Sequence, residues 1–208
     1  MKRKFTSGLL HNYTRNLLKT FYFIVGLLVC SSCSYLPERV ELTYTPIKNP
    51  ESLISAPYVD VSVHVVDCRR SGKTVGRKKG KYGVEHASIG LSSDLIQEIT
   101  DAMLTELHRR GFNLAYGGVE VQIEIQKFYN EFKEGFFGGR GISELLLSVN
   151  VVNKEGMITF AKTIMGIGEN NNVWIHSGNN AKKALDSAMN DAIYKLIRDR
   201  AFLQALLR

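Results

Sequence analysis

Cysteine is scarce in this chain of 208 residues, and its three copies argue against several kinds of site. Cys30 and Cys33 stand three residues apart, a spacing found in zinc sites and redox pairs. A zinc site needs further ligands, and a redox pair needs a folded βαβ setting. Cys68 is the only other cysteine, and the pair closes an apolar run. We therefore expect no metal site, no redox site and no disulfide framework.

Proline is also rare, and all four copies lie between residues 37 and 57. Proline fixes φ and lacks a backbone donor, so this stretch favours neither a helix nor a central strand. We interpret residues 33–57 as a tether. Residues 58–208 contain no proline and no internal repeat, and we expect them to form a single domain.

Acidic residues are absent from the first 32 positions, which hold five basic residues. An apolar run at 20–29 and a group of small residues follow, which is the order of a secretory signal. A membrane-spanning helix needs about 20 apolar residues, whereas the uncharged stretch from Thr20 to Leu36 has 17. We predict a signal peptide over residues 1–32. A retained single-pass anchor in the inner membrane is the alternative.

The end of this region, Ser31-Ser32-Cys33, resembles the motif read by the bacterial lipoprotein signal peptidase. The resemblance implies cleavage between Ser32 and Cys33 and a diacylglycerol on the Cys33 thiol, with a further fatty acid such as palmitate on the new amino terminus. Cys30 departs from the motif, which usually has Leu at that place. Ser34 implies the outer membrane, because Asp there retains such proteins in the inner membrane.

Cleavage would remove most of the positive charge. The whole chain has 27 basic and 20 acidic residues, a formal net charge of +7. Residues 33–208 retain 22 basic and 20 acidic residues, a net charge of +2. The basic composition therefore does not indicate nucleic acid, and we expect no such partner.

Two hydrophobic periods predict the order β-α-β-β-β-α. Alternating apolar residues predict four strands, and three-and-four spacing predicts two helices. The strands fall at 58–67, 119–130, 142–153 and 157–168, with a hairpin turn at 154–156, and the helices at 92–110 and 180–208. Two helices on one face of a four-stranded mixed sheet give an α+β, two-layer sandwich.

Polar residues occupy the other face of the predicted sheet. A mixed sheet commonly leaves one face in water, so we expect this face to be solvated. Its polar residues are Asp60, Ser62, His64, Glu120, Gln122, Glu124, Gln126, Ser148 and Asn150.

No motif indicates catalysis. Gly72-Lys73-Thr74 ends like a phosphate-binding loop, but Asp67 stands where that loop requires glycine. The five histidines show no metal-ligand spacing, and no histidine is apparent as a partner for Cys68. We expect a protein that is not an enzyme and has no cofactor and no metal.

Several of these elements together resemble the YajG family of bacterial lipoproteins, over about residues 55–207. The matching positions are Asp67-Cys68-Arg69 at the end of the first strand, Gly111-Phe112 after the helix, and Asp199 before a short last turn. Arg70 departs from the family, which tends to have Pro there, and a lysine-rich insertion follows. The family has no established catalytic residues, so the resemblance implies a non-enzymatic envelope lipoprotein.

Basic residues crowd one segment, with seven among the thirteen residues from Arg69 to Lys81. Such a run indicates a solvated, mobile loop. The alternative is a site for an anionic partner such as lipid head groups, a wall polymer or an acidic protein patch. Phe136 and Phe137 in a glycine-rich loop and Trp174 in a third loop are further candidates for contact.

The predicted topology brings these three loops together. A strand-helix-strand crossover makes strands 58–67 and 119–130 parallel, so the loops after them leave from one pole. We expect the tether to enter at the opposite pole, before Tyr58. The candidate binding pole comprises Arg69, Arg70, Lys73, Arg77, Lys78, Lys79, Lys81, Phe136, Phe137, Arg140 and Trp174.

These observations favour a lipid-anchored, non-catalytic interaction module on the periplasmic face of the outer membrane. One alternative is a binding protein for an anionic envelope ligand that uses the basic loop. Another is an accessory subunit of a transport or cell-wall complex, anchored in the inner membrane. The expected partners are the membrane, through the lipid, and an unidentified envelope protein or an anionic wall or lipid component.

Overall fold

The structure is a computed structural model. It describes residues 18, 19, 22, 36–48, 56–80, 83–135 and 138–208, without the side chains of Pro57 and Asn172. The chain divides into two compact units, Met1–Leu36 and Pro37–Arg208. The signal-peptide prediction therefore falls almost wholly outside the described residues, as do Ser32 and Cys33.

The second unit contains strands and helices in alternation. The strands are β1 (Glu38–Val40), β2 (Asp60–Asp67), β3 (Thr74–Lys79), β4 (Glu85–Leu91), β5 (Asn113–Leu114), β6 (Val119–Lys133), β7 (Gly139–Val152) and β8 (Ile158–Val173). The helices are α1 (Leu95–Arg109), α2 (Gly178–Arg198) and α3 (Arg200–Leu206), and Ala56–Tyr58 form one 3₁₀ turn.

The predicted four-stranded sheet with two helices is wrong, although the fold is α+β. The described residues form one eight-stranded mixed sheet with three α-helices. The four predicted strands are present as β2, β6, β7 and β8, and the first predicted helix is α1. The sheet is larger because β1, β3, β4 and β5 join its edges.

The long strand β6 organises this sheet. On one side it pairs with β2, in parallel, from Val119 to Ile125, and then with β3 at Asn130. On its other side it pairs with β7, which pairs with β8, both antiparallel. The predicted parallel pairing of the first strand with the strand after the helix is confirmed.

The added strands escaped prediction because their own sequences carry little signal. Strand β3 reads Thr-Val-Gly-Arg-Lys-Lys, whose glycine and charges disfavour a strand in isolation. It becomes a strand through its antiparallel pairing with β4. Strands β1 and β5 have three and two residues, too few for an alternating pattern.

The helices cover one face of the sheet, where the core lies. Alternate residues of β6 and β7 are buried, from Val119 to Ile125 and from Leu145 to Val151. Helix α2 packs on β8 and β7, and α1 packs on β2. The opposite face holds the polar residues predicted there, which are half-buried or exposed.

The predicted final helix is two helices separated at Asp199. This residue ends α2 with extended backbone, and its carboxylate accepts hydrogen bonds from the amides of Ala201 and Phe202 at the start of α3. Phe202 can then turn into the core, where it is fully buried.

Part of the predicted tether packs on the folded unit. Residues 41–47, here called the strap, are bonded to both α1 and α2, and Leu42 among them is buried in the core. Lys182, Asp186 and Asn190 of α2 bond the backbone of Glu41, Thr43 and Thr45, and Glu106 of α1 accepts the amide of Ile47.

The strap follows β1, whose direction decides where the chain enters. We call the end of the sheet where β6 finishes the upper pole, and the end where it starts the lower pole. Glu38 pairs with Ile89 of β4, Ile89 pairs with Gly76 of β3, and Gly76 pairs with Asn130 of β6, so Glu38 lies at the height of Asn130 in the sheet. Because β1 is parallel to β4, which is antiparallel to β3, β1 runs from there toward the lower pole. Tyr58 precedes the lower end of β2, where the tether was predicted to enter, but the predicted tether already meets the fold at β1, which starts nearer the upper pole.

None of the helices in the described part of the chain combines the length and apolarity needed to cross a bilayer.

Candidate functional site

Three connections meet at the upper pole: the turn between β3 and β4, the loop between β6 and β7, and residues 174–177 between β8 and α2. Lys133 pairs with Arg140, and Gly139 pairs with Val173, so the ends of β6, β7 and β8 coincide. Since β3 is parallel to β6, its last residue lies at the same end.

His176 fastens two of these connections together. Its Nδ1 lies 2.7 Å from the carbonyl oxygen of Lys79, which can only accept, so this nitrogen carries the proton. The imidazole ring stacks on Phe132 with 4.4 Å between ring centroids. This histidine therefore has a structural role, joining the end of β3 to the segment before α2.

Large apolar side chains are exposed on this pole. Trp174 is 78% exposed, Ile175 66% and Val84 55%. Burial of each such side chain would contribute about 1.5–3 kcal/mol, so their exposure favours a contact at this surface. The sequence prediction included Trp174 and missed Ile175 and Val84. Their apolar character beside turn residues was the available signal.

The predicted binding residues separate into two places. Lys79, Arg140 and Trp174 lie at the upper pole. Arg69, Arg70 and Lys73 lie lower, in the connection from β2 to β3, the first two beside Gln126–Tyr129 of β6 and Lys73 beside Leu91–Ile96. Lys81, Phe136 and Phe137 fall outside the described residues.

Arg69 closes the gap that opens where β6 changes partner from β2 to β3. Its guanidinium pairs with Asp67 at 2.8 Å and donates to the carbonyl oxygen of Phe128 at 3.5 Å. Burial raises the pKa of Asp67, but hydrogen bonds from the Arg69 side chain and backbone, with its charge, outweigh that effect and hold the pKa below its usual value. These contacts give Asp67 and Arg69 a structural role at the end of β2.

The interpretation of 69–81 as a mobile loop is wrong for residues 74–79, which form β3. Three of its cations lie beside carboxylates: Arg77 beside Glu85 at 3.3 Å, Lys79 beside Glu131 at 3.4 Å, and Lys78 beside Glu38. Lys78 is only 3% exposed, so replacing it with an acid would bury a carboxylate beside Glu38. Arg70 and Lys73 remain exposed.

A polar cluster between the helices was not predicted. Glu106 is fully buried and accepts hydrogen bonds from the Tyr44 hydroxyl at 2.8 Å and the Ile47 amide at 2.9 Å. Burial and the hydrogen bond to Glu106 raise the pKa of Tyr44. The row Lys182, Asp186 and Asn190, at four-residue spacing, was a usable sign that one side of α2 binds a polar partner.

The side chains of the described residues that could act as nucleophiles, acids, bases or metal ligands are either far apart or engaged in hydrogen bonds that hold the fold. No group of three or more His, Cys, Asp or Glu within these residues has a metal-binding arrangement. Cys68 is free and exposed, and His64 is exposed on the open face of the sheet.

A family model described as "uncharacterized lipoprotein" matches residues 46–207, most of the folded unit. The chain belongs to this lipoprotein family. The lipoprotein is thereby grouped with membrane-anchored proteins of the envelope, and the family description names no catalytic activity. The narrower YajG-like assignment stays a prediction. No curated protein matches this sequence.

Solved structures resemble the lipoprotein in fold. A crystal structure of a protein from Xanthomonas campestris has a TM-score of 0.55 at 9% identity, and the match covers 78% of this chain and 92% of that chain. A minor lipoprotein from Acinetobacter baumannii has a TM-score of 0.44 at 8% identity, with 71% and 93% covered. The first likeness supports the fold alone.

Proposed function

We propose that this lipoprotein is held by lipid on Cys33 at the periplasmic face of the outer membrane and acts there as a non-catalytic interaction module. The observation that carries the proposal is the membership of the chain in a lipoprotein family, together with Ser31-Ser32-Cys33 after the apolar run. A YajG-like kinship would agree with this role.

The contacts of several polar side chains in the described residues support a role in binding. Asp67 and Arg69 close a gap in the sheet, His176 joins two connections, and Asp199 caps a helix. Each of these groups is engaged in holding the fold. In contrast, the side chains of Trp174, Ile175 and Val84 at the upper pole are largely exposed and are available for contact with a partner.

Substitution of the lipidated cysteine tests the anchor. A Cys33→Ala chain should remain uncleaved and take up no radioactive palmitate, because the lipoprotein peptidase acts on the acylated cysteine. The matched control is Cys30→Ala, which should be processed as well as the wild type or better. A mature amino terminus at any residue other than 33 would contradict the proposal, and density-gradient separation of the two membranes tests the location.

A second candidate function is the binding of an anionic envelope ligand by Arg70 and Lys73. Both side chains are exposed, Arg70 at a depression that Cys68–Ser71 share with Gln126–Tyr129, and Lys73 at another that it shares with Leu91–Ile96. An Arg70→Glu, Lys73→Glu chain should then lose retention on lipopolysaccharide or peptidoglycan while keeping its thermal stability. Retention equal to that of the wild type would remove this candidate.

A further inference from the structure

We infer that the upper pole docks on the phospholipid surface of the membrane that holds the anchor. Trp174, Ile175 and Val84 would insert among the lipid head groups, and Lys133 and Arg140 would bind their phosphates. This inference rests on the proposed function, because it requires lipid on Cys33.

The length of chain between the anchor and the fold carries the first step. Cys33 precedes Glu38 by five residues, which span at most about 18 Å, whatever their path. Glu38 is level with Asn130, three residues below the upper end of β6, or about 10 Å. A lipid on Cys33 therefore holds the upper pole close to the bilayer.

The lower pole is beyond that reach. Strand β6 starts at Val119, eleven residues below the level of Glu38, which corresponds to about 36 Å. That distance is twice the span available from Cys33. When the strands of the sheet stand roughly perpendicular to the membrane, only the upper pole can therefore lie near it.

The exposed side chains of the upper pole suit an interface between water and lipid. Tryptophan favours the head-group level, where its apolar ring and its N–H are both accommodated. Trp174 and the adjacent Ile175 are among the most exposed apolar residues described. Docking would bury these side chains without any change in the fold.

The charges beside them point to phosphate. Lys133 and Arg140 are both exposed and directly opposite each other on β6 and β7. Like charges at opposed positions destabilise a sheet unless an anion lies between or near them. Neither Lys133 nor Arg140 takes part in an ion pair among the described residues. The nearby carboxylate of Glu131 is paired with Lys79. Lipid phosphates would supply the missing negative charge.

The single tryptophan of the chain makes the inference directly measurable. The full chain is produced with its signal, and mass spectrometry of the amino terminus confirms lipid on Cys33. The lipoprotein is then reconstituted in vesicles of phosphatidylethanolamine and phosphatidylglycerol with brominated acyl chains. Trp174 emission should shift to shorter wavelength and lose most of its intensity to bromine quenching.

The matched control moves the reporter to the other end of the molecule. Tyr116 is 96% exposed and lies just before β6 at the lower pole. A Trp174→Tyr, Tyr116→Trp chain should show no wavelength shift and no quenching on the same vesicles. Lys133→Glu with Arg140→Glu should reduce the docked fraction, since each basic residue at an anionic surface contributes about fivefold to binding.

The outcomes separate the inference from its premise. A chain without lipid on Cys33 overturns the proposed anchor and the inference with it. An acylated chain whose Trp174 is not quenched overturns the docking alone. The same holds if Trp174 is protected from acrylamide in intact cells but unquenched by brominated lipid, because a protein would then cover the pole.

Discussion

At the scale of single residues, two glycines decide how closely α2 approaches the sheet. A Cβ at Gly168 would overlap the carbonyl oxygen of Ala184 and the amide nitrogen of Ala188, and one at Gly166 would overlap the carbonyl oxygen of Ala188. Backbone therefore packs on backbone here. The alanines of α2 are fully buried in the same contact.

Replacement of Gly168 by alanine should destabilise the lipoprotein by about 1–3 kcal/mol, the usual cost of overpacking. Urea denaturation of the detergent-solubilised protein measures the change. Gly90→Ala is the matched control, because the nearest atom to a Cβ there is the Lys73 carbonyl oxygen at 3.4 Å. Equal midpoints for the two variants would show that α2 can move away from β8 at no cost.

The same scale shows how a basic residue becomes structural. Lys78 lies in β3 with its ammonium group beside the carboxylate of Glu38, forty positions earlier in the chain. The Glu38 carboxylate also accepts the amide of Gly178 at the start of α2. One carboxylate thus joins β1, β3 and α2.

At the scale of elements, Asp199 determines where α2 stops and α3 starts. Its carboxylate accepts the Ala201 amide at 2.8 Å and pairs with Lys162 at 2.7 Å. The hydrogen bond from Lys162 and those from the two amides lower the pKa of Asp199, although burial opposes them. A carboxyl group with a lowered pKa stabilises the fold only while it is ionised.

Asp199→Ala should cost about 0.5–2 kcal/mol at neutral pH through loss of the helix cap. The wild-type advantage should be complete above the unfolded pKa of about 3.9 and decline as pH falls through the lower folded pKa. Chemical denaturation across acid and neutral pH measures this. Asp199→Asn, which keeps a capping oxygen, should lose less stability than Asp199→Ala at neutral pH. A stability advantage of the wild type over Asp199→Ala that persists undiminished in acid would contradict the assignment.

Helix α2 also protects the outer edge of β8. Asp191 accepts the Ile167 amide at 2.8 Å, and Lys195 donates to the Met165 carbonyl oxygen at 2.9 Å. These bonds occupy backbone groups that would otherwise be open to another strand. A sixteen-residue edge strand is therefore partly blocked by the helix that covers it.

At the scale of the whole molecule, the strap connects the entry of the chain to the lower half of the fold. Asp186 accepts the Thr43 amide at 2.9 Å, and Asn190 accepts the Thr45 amide at 3.0 Å. Arg109 of α1 donates to the Ile47 carbonyl oxygen at 2.7 Å. Both helices thus hold a segment that contains Pro46 and has no partner strand.

Asp186→Ala should loosen the strap and leave the sheet intact. Hydrogen exchange at the amides of Thr43 and Thr45 should become faster, while amides of β6 and β7 keep their protection. The matched control is Asp101→Ala on α1, whose carboxylate contacts only Gln97 among the hydrogen bonds described. Unchanged exchange at Thr43 would mean that Leu42 and Tyr44 alone hold the strap.

The sequence by itself determined the strands β2, β6, β7 and β8, the helix α1 and the wet face of the sheet, because alternation and capping are local signals. The tertiary structure decided the rest. Strand β3 and the buried Lys78 depend on partners distant in the chain, and so does the strap. The upper pole combines Val84, Lys133, Arg140 and Trp174 because the ends of distant strands coincide, and the side on which the chain enters follows from the pairing of three residues in β1.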